Sequence, residues 1–168
     1  MIVFDASTLI LVAKAELLDA FLAGSKRKAA IPGEVERECC GVKKTLDALM
    51  IQKALDGGQI KVFPVKDKKI VAKLQADFSL GKGEAEAIAL AAHERAGLLG
   101  IDDKNGINAC KMIGIPFTTA MGVLVHSREK GWIDRSSSLI KLATLAMHGR
   151  YKDSIIADAK LRLEARND

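Results

Sequence analysis

Two short apolar runs in this chain end in aspartate, and that pattern constrains the fold more than any other feature. Ile2-Val3-Phe4 leads into Asp5, and Leu98-Leu99-Gly100-Ile101 leads into Asp102 and Asp103. Carboxylates at the end of a buried strand are costly unless something cationic or hydrogen-bonding meets them. In open α/β sheets, sites form just outside the carboxyl ends of the strands. Aspartates from distant parts of the chain are therefore expected to share one cleft. No His or Cys ligand set accompanies them, which suits a hard divalent cation, Mg²⁺ or Mn²⁺.

The rest of the chain alternates between strand and helix patterns. Further strands are expected at Ala29 to Ile31, Ile60 to Val65 and Ile115 to Thr118, with Pro64 placing the Ile60 strand at an edge or end. One amphipathic helix is expected to carry Leu9, Leu11, Val12, Leu17, Leu18 and Phe21, capped by Ser7 or Thr8. Pro32 suits the first turn of a helix bearing Glu34, Glu36 and Glu38. Further helices are expected over residues 46–55, 69–78, 84–96, 105–113, 121–130, 139–147 and 151–166. Gly81-Lys82-Gly83 reads as a break before an alanine-rich helix that begins at Glu84. This alternation predicts an α/β fold with a central, mostly parallel sheet covered on both faces.

Composition limits the class. The chain has 168 residues, enough for one domain with its own core. No apolar stretch reaches the roughly 18 residues a membrane-spanning helix needs. The opening segment contains Asp5 and Lys14 and reads as strand plus helix rather than a signal peptide. Cys39, Cys40 and Cys110 form no disulfide or zinc spacing, so reduced thiols in a cytoplasmic protein are expected. Net charge is +5 although the expected site is acidic. Basic surface around an acidic pocket suits a polyanionic substrate.

Six acids are candidates: Asp5, Glu38, Glu84, Glu86, Asp102 and Asp103. Glu84 in a first helical turn is favoured by the helix dipole alone. His93, His126 and His148 fall on separate helices and carry no expected role, Trp132 reads as packing at a helix end, and Met112, Met121 and Met147 read as core fillers.

Four stretches, in order, resemble the PIN-domain ribonucleases, particularly their VapC-like branch. They are Ile2-Val3-Phe4-Asp5-Ala6-Ser7-Thr8-Leu9-Ile10, the Pro-x-x-Val-x-x-Glu segment from Pro32 to Glu38, Gly83-Glu84-Ala85-Glu86-Ala87-Ile88-Ala89, and Leu99-Gly100-Ile101-Asp102-Asp103. The resemblance implies a three-layer α/β/α sandwich and metal-dependent cleavage of RNA. It covers a PIN-like nuclease domain over residues 1–133; residues 134–168 lie outside the resemblance and are expected to form a C-terminal helical extension of the same domain.

Carried over by position, Asp5, Glu38, Glu84 and Asp102 match the recurring catalytic acids. Asp5, Asp102, Asp103 and Glu84 are the expected metal ligands for Mg²⁺ or Mn²⁺. Glu86 competes with Glu84, Asp103 competes with Asp102, and Ser7 or Thr8 matches the hydroxyl near the metal. Helix periodicity places Glu84 beside the stripe of Ala85, Ile88 and Ala89 and turns Glu86 away from it.

The substrate's phosphates are expected to meet Lys82, Lys26, Arg27 and Lys28, with Lys43-Lys44, Lys66, Lys68 and Lys69 as further patches. Aromatic residues are only 4% of the chain, so base stacking is not expected to dominate. Implied partners are an RNA substrate, a small antitoxin protein and a second copy of the chain in a homodimer or higher homo-oligomer. The competing reading is a PIN-fold module that binds RNA or protein without cutting. A receiver-like phosphotransfer protein is disfavoured, because Ile115 to Thr119 supplies no strand-end lysine.

Overall fold

Each expected apolar run forms a strand in the computed structural model, which describes residues 1–42 and 45–165. The strands are β1 (Ile2–Phe4), β2 (Ala29–Pro32), β3 (Ile60–Phe63), β4 (Leu98–Gly100) and β5 (Phe117–Thr118). They pair in the order β3-β2-β1-β4-β5, and every pairing is parallel. Val3 at the centre of β1 faces Ala30 on one side and Leu99 on the other. The parallel arrangement puts Asp5 and Asp102 just past the carboxyl ends of adjacent strands.

Ten helices cover the sheet among the described residues: α1 (Ala6–Lys14), α2 (Leu18–Ser25), α3 (Gly33–Cys40), α4 (Leu46–Asp56), α5 (Lys68–Phe78), α6 (Lys82–His93), α7 (Lys104–Ile113), α8 (Ala120–Glu129), α9 (Arg135–His148) and α10 (Asp153–Glu164). Side chains alternate across a strand, so one sheet feeds two cores. Ile2, Phe4 and Ile31 enter a core with Leu9 of α1, Ile51 of α4, Leu124 of α8, Leu145 of α9 and Leu163 of α10. Val3, Ala30 and Leu99 enter a second core with Leu74 of α5, Ile88 of α6 and Cys110 of α7. The result is the expected three-layer α/β/α sandwich. Helix α3 touches α1, α4 and α6, so it bridges the two helical layers at the carboxyl end of the sheet.

Several local expectations change. The first helix is two helices, because Glu16 adopts a left-handed backbone (φ 51°) between α1 and α2. Its cap is Asp5 rather than Ser7 or Thr8: the Asp5 carboxylate accepts the Thr8 N–H. Pro32 ends β2 and immediately precedes α3. Helix α6 starts at Lys82, so Lys82 and Gly83 lie inside its first turn and do not break the chain. Met121 is buried, but Met112 and Met147 are 78% and 79% exposed, so two of the three methionines are not core fillers. Tyr151 precedes α10 instead of belonging to it. Lys43, Lys44 and Arg166 lie outside the described residues. No helix among the described residues is long and apolar enough to cross a membrane.

Candidate active site

Asp5 is fully buried at the junction of β1 and α1. One of its carboxylate oxygens accepts the Thr8 N–H at 2.8 Å and the other accepts the Ser7 hydroxyl at 2.7 Å. Asp102 follows β4 by two residues. Its Oδ2 accepts the Thr8 hydroxyl at 2.8 Å and the Ala120 N–H at 2.8 Å, and its Oδ1 accepts the Tyr151 hydroxyl. Thr8 thus ties the two aspartates together, its backbone holding one and its side chain the other.

Electrostatics follow from that enclosure. Burial pushes the Asp5 carboxyl up to about 7, against the pull of the Ser7 and Thr8 donors, and the Asp102 charge adds to the rise. Burial also raises Asp102, while Tyr151, Ala120 and Thr8 draw it back down. Cys110 is buried in the second core, and its thiol is pushed up to about 11 by burial and by the Asp5 charge. It is therefore a neutral neighbour rather than a second anion.

The remaining acids fall into two groups around α6. Glu84 caps its own helix: its Oε2 accepts the Gly81 N–H at 2.9 Å. Burial raises its carboxyl, and Asp103 is the nearby charge that adds to the rise. Asp103 caps α7, accepting from Asn105 N–H at 2.7 Å and Gly106 N–H at 3.0 Å. Glu86 turns inward and is only 4% exposed. It meets Lys68 at 3.3 Å and the Glu34 N–H at 3.4 Å. The orientation expected for this pair is reversed. Helix α6 lies against the sheet, α3, α5 and α7, so every position from Ala85 to Ala91 is buried and no single stripe marks its inner face.

Glu38 is exposed on α3, and its carboxylate lies against Gly83, where a Cβ would leave it no room. Arg37 beside it feels the charges of Glu38 and Glu86 and is paired with Glu34. Lys82 pairs with Glu34 at 2.8 Å, and the Lys82 and Arg37 contacts hold the Glu34 carboxyl below its usual range. A cleft of about 510 Å³ opens here, lined by Ala6, Ser7, Ile10, Arg37, Glu38 and Val42. It brings Glu38 alongside Ser7, the residue bonded to Asp5.

The structure therefore joins Asp5, Asp102, Ser7 and Thr8 directly. Glu38 and Glu86 converge on Arg37, and Glu84 goes with Asp103. Among the described residues, no group of three or more His, Cys, Asp or Glu side chains could hold a metal ion. Lys26, Arg27 and Lys28 precede β2 and lie at the opposite end of the sheet from Asp5, so they are not part of this site. Tyr151 was not legible as a site residue, because nothing local in the sequence signals a hydroxyl that bonds an acid 49 positions earlier.

A parallel α/β/α sandwich with acidic side chains at the carboxyl ends of its central strands has its site where open α/β sheets place theirs, and several classes of protein share that layout. The family model DUF3368, described as a PIN domain, matches residues 1–164, and the chain belongs to this PIN-domain family. The match extends across α9 and α10 as well as the sheet. A comparison with curated proteins gives no match.

Proposed function

We propose that the protein is a metal-dependent endoribonuclease that hydrolyses RNA phosphodiester bonds, a VapC-like toxin acting in the cytoplasm with a small antitoxin partner. One observation carries the reading: two strand-end carboxylates, Asp5 fully buried and Asp102 partly so, are tied through one threonine, and the Asp102 charge adds to the burial that raises Asp5. A binding module has no need of that arrangement, and folding around it is costly.

The donor set fits a hard cation. Both groups supply carboxylate oxygens, both are raised by burial, and a positive charge between them would relieve the rise. Mg²⁺ keeps several of its waters, so two carboxylates suffice as direct ligands. A bound Mg²⁺ or Mn²⁺ would lower the pKa of a water and neutralise charge on the scissile phosphate. In this reading Asp5 and Asp102 are the ligands, with Ser7 and Thr8 fixing their oxygens. Glu38 and a glutamate of α6 flank the cleft and orient the attacking water, and Asp103 holds the start of α7. Arg37, Lys68 and Lys82 line the same end of the sheet and meet the substrate backbone. Lys26, Arg27 and Lys28 contact only RNA that extends past the site.

The competing reading, a PIN-fold module that binds RNA or protein without cutting, is favoured by one observation. Asp102 already has three donors, the Thr8 hydroxyl, the Ala120 N–H and the Tyr151 hydroxyl, so hydrogen bonds meet its charge without a cation. A cleavage assay separates the two. With labelled single-stranded and structured RNAs, the nuclease reading expects cutting with Mg²⁺ or Mn²⁺ that EDTA stops. RNA retained on the protein and left intact in both metals would support the binding module instead.

A further inference from the structure

The C-terminal segment reaches the candidate metal centre through one side chain. Tyr151 lies in the connection between α9 and α10, and its hydroxyl donates to Oδ1 of Asp102. The Tyr151 phenol oxygen in turn accepts the Met121 N–H from the first turn of α8 at 3.3 Å. The phenol is therefore tied on two sides, and its proton has one acceptor to point at. The ring packs against the first core and lies over Gly149, where a Cβ would have no room. Backbone and packing thus fix the ring before the hydroxyl meets the aspartate.

Asp102 is held by three donors: the Thr8 hydroxyl of α1, the Ala120 N–H that opens α8, and the Tyr151 hydroxyl from the α9–α10 connection. An ionised carboxylate offers about four lone-pair sites. Two of these donors occupy Oδ2 and one occupies Oδ1, which leaves one site, on Oδ1, for a further partner. The donor that shares Oδ1 with that site is the tyrosine. Hydrogen-bond partners of ligating groups set both the orientation and the strength of the ligand.

We infer that Tyr151 is a positioning residue for the metal centre: its hydroxyl aims the one open lone pair of Asp102 at the cation, so residues after α9 complete the site. This rests on the reading of Asp5 and Asp102 as metal ligands. On this account the extension is a working part of the centre rather than a cover for the core. Removing the hydroxyl while keeping the ring weakens metal binding without displacing the helices.

The test is calorimetric titration of Mn²⁺ into the full chain at fixed pH, for wild type, Asp102→Asn, Tyr151→Phe and Leu163→Val. Leu163 is buried in α10 and touches the same C-terminal packing without belonging to the site. Tyr151→Phe is expected to weaken Mn²⁺ affinity about tenfold or more. Leu163→Val is expected to melt earlier and bind Mn²⁺ as wild type does, which separates positioning from loss of stability. Unchanged or tighter binding in Tyr151→Phe overturns the role given to the tyrosine and leaves the metal reading standing. If wild type takes up no Mn²⁺, or Asp102→Asn binds it equally, the metal reading itself fails and the tyrosine's role falls with it. A second measurement covers the case in which Tyr151→Phe does not fold. Tyr151 is the chain's only tyrosine, so its ring gives one isolated NMR signal. Mg²⁺ should shift that signal in wild type and not in Asp102→Asn; a signal that stays put at saturating Mg²⁺ overturns the inference.

Discussion

The Thr8 hydroxyl donates to Oδ2 of Asp102 at 2.8 Å across 94 positions of sequence. Through its backbone the same residue also holds Asp5. Thr8 is fully buried, so replacing its hydroxyl by a methyl leaves one oxygen of Asp102 a donor short. Thr8→Val should cost about 1–3 kcal/mol of stability and most of the RNA cleavage, while Thr8→Ser restores both. Urea unfolding and single-turnover cleavage on the three proteins check this; cleavage by Thr8→Val at the wild-type rate would show that the bond does not serve the site.

The buried Asp5 sets a pH dependence with a definite sign. Its carboxyl titrates near 7 in the folded protein against an ordinary value of 3.8. Between those values the folded state keeps a proton that the unfolded chain has released. The stability that Asp5 contributes to the metal-free protein is therefore full below about 3.8, falls as pH rises toward 7, and is flat beyond it. The loss is of the order of a few kcal/mol, and Asp102, also raised, adds in the same direction. Asp5→Asn removes the Asp5 share. In EDTA it should match wild type near pH 4 and melt above it at pH 8, and Mg²⁺ should narrow the gap by stabilising wild type alone. Parallel pH profiles for the two proteins would contradict the assignment.

Much of this architecture was legible because strands and helices carry different periods. Ile2-Val3-Phe4 and Leu98-Leu99-Gly100 could only be short buried strands, and the aspartates after them had to meet if the strands ran parallel. What was not legible depended on the third dimension. Glu16 breaks the first helix without a glycine or proline to announce it. Ala-rich α6 is buried on most sides, so spacing from Ala85 and Ile88 could not tell which glutamate points inward. Lys26, Arg27 and Lys28 are a basic cluster in sequence, yet the parallel sheet puts them at the end away from Asp5. Tyr151 needed the fold itself to find Asp102.

The two glutamates of α6 should separate in assay. Glu84 is engaged in capping its own helix, whereas Glu86 lies buried between α3 and Lys68, near the Arg37 that also faces Glu38. Glu86→Gln should reduce cleavage more than Glu84→Gln. Glu84→Ala should lower stability by about 1 kcal/mol through the lost cap. Measuring the rate and the urea midpoint for each variant distinguishes them; a larger loss of cleavage in Glu84→Gln would place Glu84 in the site instead.

Self-association has a surface to use. Leu46 and Leu49 of α4 are 64% and 58% exposed, and Ile155 and Leu161 of α10 are 48% and 70% exposed. Apolar side chains grouped on exposed helix faces mark interaction surfaces, and a symmetric dimer would cover the same patch on both copies. Light scattering at tens of micromolar should give a dimer mass or higher, and Leu49→Glu should lower it if α4 forms the contact. A monomer mass for wild type would rule out the homo-oligomer under those conditions.

On the proposed function, Asp5 and Asp102 together hold the catalytic cation. The most direct measurement is anomalous diffraction from crystals of the full chain soaked in Mn²⁺. A Mn²⁺ peak is expected within ligand distance of carboxylate oxygens of both Asp5 and Asp102, and none in Asp5→Asn crystals treated the same way. A peak elsewhere with none at this pair, or one that persists unchanged in Asp5→Asn, would contradict it.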